Sequence, residues 1–276
     1  AAAPGMQPAA TNSGAVLHRI AAAGPELARR VAEAPGALPA LVAALDAGAA
    51  AAAHLMQSAA ANSARALACI ASTCEELTWR VAEAPGALPA LAAAVAGGGA
   101  VAAPNILQDV AEECAAALNL IASADPDLAR RVAEEPGALP ALVAAVAAGG
   151  TAAAAPQRTA LLSSAALNAI AAAGPELARC VAQSPGALQT LAAAVAVGGN
   201  GAADNQQRAA VNSVVALRLI ASAAPELARR VAEAPGALPA LVAAVAAGGA
   251  AAVMLQRIAA HSAVALVDIA KVAAPR

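Results

Sequence analysis

The sequence predicts an all-α solenoid of repeated three-helix units, and three observations carry that prediction. The tetrapeptide Pro-Gly-Ala-Leu begins at Pro35, Pro85, Pro136, Pro185 and Pro235, at intervals of 50, 51, 49 and 50 residues. An isoleucine returns in step with it, as Ile20, Ile70, Ile121, Ile170, Ile220 and Ile269. Between these marks the chain resolves into three amphipathic helical segments with distinct caps. A fixed period of roughly 20 to 50 residues marks a stacked array whose units are each too small to bury their own apolar face. The expected organisation is a single elongated domain over 1–276, opening on a lone helix of the third type at about 6–22. Five units follow at about 24–72, 74–123, 125–172, 174–222 and 224–272.

The first helix of each unit reads GPELARRVAEA at 24–34, with close variants in the other four. Leu27 and Val31 lie one helical turn apart on one face, as do Leu77/Val81, Leu128/Val132, Leu177/Val181 and Leu227/Val231. Proline loses nothing at a first helical position, and the acid after it faces the positive end of the helix dipole. Glu26, Asp127, Glu176 and Glu226 are read as such starts, with Glu26 also placed to pair with Arg30 one turn on.

Pro-Gly then stops that helix, because proline disfavours helical geometry in the residue before it and glycine can turn the chain. The second helix begins at once. It carries Leu38, Leu41 and Leu45, matched by Leu88/Leu91/Val95, Leu139/Leu142/Val146, Leu188/Leu191/Val195 and Leu238/Leu241/Val245. Pro39, Pro89, Pro140 and Pro239 sit in its opening turn, where a missing amide donor is harmless. Glycine at Gly48, Gly97 to Gly99, Gly149-Gly150, Gly198-Gly199 and Gly248-Gly249 ends it and leads into a variable alanine-rich loop.

The third and longest helix places a glutamine thirteen residues, and a leucine three residues, before each isoleucine, as in Gln57, Leu67 and Ile70. The glutamine, at the start of the helix, is expected to satisfy backbone groups of the preceding loop. Seven residues before the isoleucine the side chain is always small: Ser13, Ser63, Cys114, Ser163, Ser213 and Ser262. Small residues at one place on a helix allow a neighbour to approach closely, so Cys114 reads as a buried serine substitute and not a reactive thiol.

The order short helix, GALPALVAAL at 36–45, then a long helix ending in a phrase such as NSARALACIAS at 62–72, resembles the armadillo repeat family over about nine tenths of the chain. The resemblance implies a right-handed α-α superhelix of about five three-helix repeats plus an amino-terminal half repeat. It implies a binding scaffold without chemistry. The related HEAT type is the alternative, but it lacks the short first helix with its Pro-Gly corner. Units near 50 residues exceed the roughly 40 to 47 of such repeats, and the excess falls between the second and third helices. Peptide-binding members of the family line their groove with Asn one place, and Trp five places, before the isoleucine. Here those places hold Arg19/Ala15, Cys69/Arg65, Leu120/Ala116, Ala169/Ala165, Leu219/Val215 and Asp268/Val264. An importin-like grip on extended basic peptides is therefore not expected.

If third helices line the concave surface as in the family, the exposed stripe includes Asn12, Arg19, Asn62, Arg65, Glu113, Arg158, Arg208, Asn212, Arg257, His261 and Asp268. That stripe is mixed in sign and basic toward the carboxyl half. It reads either as a groove for a protein partner or as an ordinary solvated face. Trp79 stands where other first helices carry Arg29, Arg130, Arg179 and Arg229. It reads either as an exposed contact for a partner or as an indole lying flat on the neighbouring unit.

Composition narrows the function classes. A net charge of −2, no Phe or Tyr and a single Trp give neither the field nor the stacking platforms of a nucleic-acid binder. The chain is 61% hydrophobic, mostly through alanine. Its longest uncharged runs, Ala84 to Gln108 and Pro235 to Gln256, are broken by Pro and Gly, so no membrane insertion is expected. His18, His54 and His261 fall at different places in the units, and with the four cysteines they show no metal-ligand spacing. No acid pair, nucleophile set or phosphate loop suggests an enzyme or a cofactor. Cysteine usage favours an intracellular reducing compartment, the cytoplasm first, with an organelle or a cilium as alternatives. No targeting segment is read in the first twenty residues. The expected function is a non-enzymatic protein-interaction scaffold, the alternative being a structural subunit built into a large assembly. Further repeats or neighbouring subunits are expected to cover the two ends.

Overall fold

The structure is a computed structural model that describes residues 7–49, 54–98, 105–150, 154–199, 201–248 and 253–273. These form sixteen helices and no strand among the described residues. A lone helix, α1 (Gln7–Ala22), precedes the first repeat of α2 (Pro25–Glu33), α3 (Ala37–Ala49) and α4 (His54–Ala71). The second repeat is α5 (Glu75–Glu83), α6 (Ala87–Gly98) and α7 (Asn105–Ala124), and the third is α8 (Pro126–Glu134), α9 (Ala138–Ala148) and α10 (Ala154–Ala172). The fourth comprises α11 (Pro175–Gln183), α12 (Ala187–Val197) and α13 (Asp204–Ala223), and the fifth α14 (Pro225–Glu233), α15 (Ala237–Ala247) and α16 (Val253–Ala273). The chain divides into two compact units, Ala1–Ala141 and Leu142–Arg276, with the division inside α9.

The Pro-Gly corner is a type II turn, and its chemistry explains its recurrence. Ala37 N donates to Ala34 O at 3.1 Å across Pro35-Gly36, and the bond repeats at Ala87, Ala138, Ala187 and Ala237. Gly36, Gly86, Gly137, Gly186 and Gly236 all have φ between 71° and 88°, the left-handed geometry that a type II turn demands at its third residue. The helices on either side of the corner meet at 85° for α5 and α6, 89° for α11 and α12 and 87° for α14 and α15.

The glycine at the end of the second helix does something different. Gly198 and Gly248 have φ of −73° and −67°, so an ordinary residue could adopt their backbone. What they cannot carry is a side chain. A Cβ at Gly48, Gly98, Gly149, Gly198 or Gly248 would press into Ala60, Ala111, Ala160, Ala210 or Ala259, each standing three residues after the third-helix glutamine. The helix terminator of the sequence reading is thus a contact point between second and third helices.

Within the first unit, α1 packs on α4, α4 on α7, and each of α3 and α6 on the third helix of its own repeat. In the second unit α10, α13 and α16 stack in the same way, with α12 and α15 packed behind α13 and α16. The recurring residues fill this core: Leu67, Ile70, Leu118, Ile121, Leu167, Ile170, Leu217 and Ile220 have no exposed surface. Ile20 on α1 departs from its column at 37% exposure.

The small-residue column is buried at five of its six places, and Ser13 on α1 departs from it and is exposed. Ser63, Cys114, Ser163, Ser213 and Ser262 are fully enclosed, and a Cβ on Gly14 would already lie 3.3 Å from Ser63 Oγ, a measure of how closely α1 and α4 approach. The hydroxyls of Ser63, Ser163, Ser213 and Ser262 find no hydrogen-bond partner. Burial without a partner costs an amide or hydroxyl about 1–3 kcal/mol, so size and not polarity selects serine here. Replacing Ser163 with alanine is expected to raise stability by about 1 kcal/mol, read as a higher midpoint in urea. A fall of that size would mean the hydroxyl is bonded.

The long uncharged runs are divided into short helices: α6 has 12 residues and α15 has 11, below the roughly 20 that a span requires. Among the described residues one helix, α16, is long and apolar enough to cross a membrane by length and composition. Its stretch Val253–Val272 has a mean hydropathy of 1.4, although it also carries Arg257, His261, Asp268 and Lys271.

Candidate functional site

Third helices carry the charged stripe, and the two units treat it differently. In the first unit Arg65 on α4 lies between two carboxylates of α7, its Nη2 3.6 Å from Asp109 Oδ2 and its Nε 3.5 Å from Glu113 Oε1. The side chains are a third to a half exposed, so the cluster neutralises charge more than it stabilises the fold. Arg19 is exposed and Asn62 partly buried. Asn12 lies on α1, where its side chain is outside the described residues.

In the second unit the stripe carries three arginines. Arg158 on α10, Arg208 on α13 and Arg257 on α16 are all exposed. Asn212 is tied down, donating through Nδ2 to Leu161 O and to Ser164 Oγ, both at 3.4 Å. Asp268 is spent on Lys271, whose Nζ lies 2.8 Å away one turn along α16. His261 is partly buried, and burial first, then the positive charges of Arg218 and Arg257, hold it below the usual imidazole range. Its neutral form is therefore favoured at neutral pH. Arg218 was not among the predicted stripe residues because it stands two places before Ile220, off the stripe. Its Nε is buried without a partner and its charge faces His261.

Ion pairs on first helices tie successive repeats. Arg29 Nη1 lies 3.0 Å from Glu76 Oε2, and Arg179 Nη2 lies 2.9 Å from Glu226 Oε1. The second arginine of the phrase reaches back to the preceding repeat's short helix: Arg131 Nη2 donates to Ala82 O at 3.5 Å, Arg230 Nη2 to Ala182 O at 3.0 Å. Such guanidinium groups satisfy terminal carbonyls and complement the negative end of the dipole. No bond joins Glu26 to Arg30 among the described residues, whereas Arg179 also pairs with Glu176 along α11, Nη1 to Oε2 at 3.1 Å. Trp79, at the arginine place of α5, is partly buried. It therefore lies between the two positions anticipated for it.

The stacked three-helix repeats have counterparts among solved structures. The chain is similar to a designed armadillo repeat protein, YIII(Dq)4CqI, at 25% identity over 94% of this chain and 92% of that one, with a TM-score of 0.69. The fold is armadillo-like. An engineered protein known from its crystal structure is similar at 19% identity over 95% of this chain and 90% of that one, again with a TM-score of 0.69. No protein-family model matches the chain. No curated protein matches it either.

Within the armadillo-like frame the recurring glutamine is structural. Gln57, Gln108 and Gln157 are buried, and Gln207 Nε2 donates to Ala202 O in the preceding loop at 3.2 Å. Gln256 departs from them and is exposed. Among the described residues no group of three His, Cys, Asp or Glu side chains is placed to hold a metal. The four cysteines are free, and complete burial pushes the Cys114 thiol far above its ordinary range, which leaves it unreactive.

Proposed function

We propose that this armadillo-like protein is a non-catalytic scaffold that binds an acidic segment of a protein partner along α10, α13 and α16. The observation that carries the proposal is the difference in charge balance between Arg65 on α4 and the arginines of α13 and α16. Arg65 is answered by Asp109 and Glu113, whereas exposed Arg208 and Arg257 have no carboxylate within ion-pairing distance among the described residues. A like-charged row on stacked helices repels itself, and an extended anionic chain relieves that repulsion while giving guanidinium groups their preferred carboxylate partners.

Titration of a fluorescent glutamate-rich peptide into the protein tests this. Binding is expected to weaken with salt. Reversal of Arg158, Arg208 and Arg257 to glutamate together is expected to reduce affinity at least about a hundredfold, from roughly 1 kcal/mol or more lost at each position. Unchanged affinity in the triple variant would move the site off this face.

A second reading, a structural subunit held in a larger assembly, is supported by the apolar surface of the last repeat. Val242, Val245, Val253, Val264 and Val267 are 56%, 39%, 69%, 44% and 53% exposed, whereas Val95 and Val195, at the place of Val245, are 0% and 2%. An apolar face of this kind suits permanent burial against a neighbour. Co-purification at fixed stoichiometry through high salt would favour it over salt-sensitive recruitment.

A further inference from the structure

The fourth repeat departs from the other four at positions that converge on one cleft. Gln189 and Thr190 on α12 replace the Pro-Ala of Pro39-Ala40, Pro89-Ala90, Pro140-Ala141 and Pro239-Ala240. Val197, at the end of α12, replaces Ala47, Gly97, Ala148 and Ala247. Gln206 on α13 stands where the third helices of the other repeats carry Met56, Leu107, Pro156 and Leu255. All four side chains line a cleft of about 200 Å³ in the second unit, closed by Val146 at the end of α9 and by Gln157 at the start of α10.

The lining defines a ligand. None of the residues around the cleft is charged, and most of the wall is alanine and valine. Gln206 is held in place by two bonds: its Oε1 accepts from Ala203 N at 3.2 Å and its Nε2 donates to Gly149 O at 3.4 Å. Its second amide N–H remains for another acceptor. Among the described residues the side chains of Gln189 and Thr190 have no hydrogen-bond partner, and neither has a polar atom sealed from solvent. A carboxamide and a hydroxyl offer donors and acceptors together, and an uncharged cleft does not compensate the desolvation of an ion. A cavity of about 150 Å³ with aliphatic walls accommodates benzene, so the space here suits a single ring.

We infer that this cleft is a binding site for a small uncharged ligand that joins a compact apolar body to an amide or lactam edge. It shares no residue with the charged stripe, and its occupation is independent of binding along that face. The four departures supply the site: Val197 the apolar wall, and Gln189, Thr190 and Gln206 the polar groups that read the amide.

Benzamide is a direct probe, with benzoate as its charged isostere and toluene as its apolar one. Binding is read from the methyl resonances of Val146, Thr190 and Val197 in methyl-labelled protein. Benzamide is expected to shift these resonances saturably, and benzoate and toluene to bind at least about tenfold more weakly. The double variant Thr190→Ala with Gln206→Leu places the other repeats' own residue types at both positions and is expected to fold. It should lose benzamide affinity by about tenfold or more while toluene binding stays the same. No saturable shift at these methyls, or equal affinities for benzamide and benzoate, would overturn the inference. So would a double variant that binds benzamide as the parent does. Should that variant fail to fold, Gln189→Pro alone, the residue of the other repeats, is expected to weaken benzamide binding; unchanged binding in that folded variant would equally overturn it.

Discussion

Ile121→Ala is expected to destabilise the protein by about 2–5 kcal/mol. Ile121 has no exposed surface, and it stands one turn from Leu118 on α7, the helix that packs against α4, α6 and α8. Removing its outer carbons forfeits their transfer from water and leaves a void that helices fixed on several sides cannot collapse into. Ile20→Ala is the internal control, because Ile20 holds the same place in its helix yet is 37% exposed. Its loss is expected to cost less than about 1 kcal/mol. Urea unfolding of the two variants checks the pair, and equal losses would mean that the repeat column, and not burial, determines the energy.

Gly98→Ala is expected to cost about 1–3 kcal/mol or more, although alanine is the better helix former. A Cβ at Gly98 would press into the backbone carbonyl of Leu107 and the Cβ of Ala111. Neither neighbour is a flexible side chain, so α6 and α7 must separate. Gly97, its neighbour on the same helix, meets nothing within 4 Å. Gly97→Ala is therefore expected to stabilise by about 0.5–1 kcal/mol through helix propensity alone. Adjacent glycines with effects of opposite sign, measured as shifts of the thermal midpoint, are the signature of this contact. A matching gain at both positions would show that the helix ends are free to part.

Much of this architecture was legible because each repeat restates the same physical problem. The Pro-Gly corner, the Leu-Val pairs of the first helix and the Leu-Ile pair of the third are enforced by turn geometry and helical spacing, which act locally and leave their mark in order along the chain. The terminal glycine of the second helix was read as a stop signal, because a sequence shows that a side chain is missing but not what would have occupied its space. Gln189, Thr190, Val197 and Gln206 went unread for a related reason. They are departures from a pattern, spread over two helices, and only packing brings them to one cleft. Arg218 escaped because the stripe followed helical spacing from the isoleucine. Its proximity to His261 on α16 depends on how α13 and α16 stack. The pairing of Arg65 with Asp109 and Glu113 also runs between helices. Stripe positions identified the participants without showing that they cancel one another.

The cancellation of Arg65, and its absence at Arg208 and Arg257 among the described residues, is the basis of the functional proposal, and amide hydrogen exchange with and without the glutamate-rich peptide tests it most directly. The proposal predicts slowed exchange in α10, α13 and α16 around Arg158, Arg208 and Arg257, with α4 and α7 unchanged and the effect removed by salt. Protection confined to α4 and α7, or equal protection across both units, would contradict it.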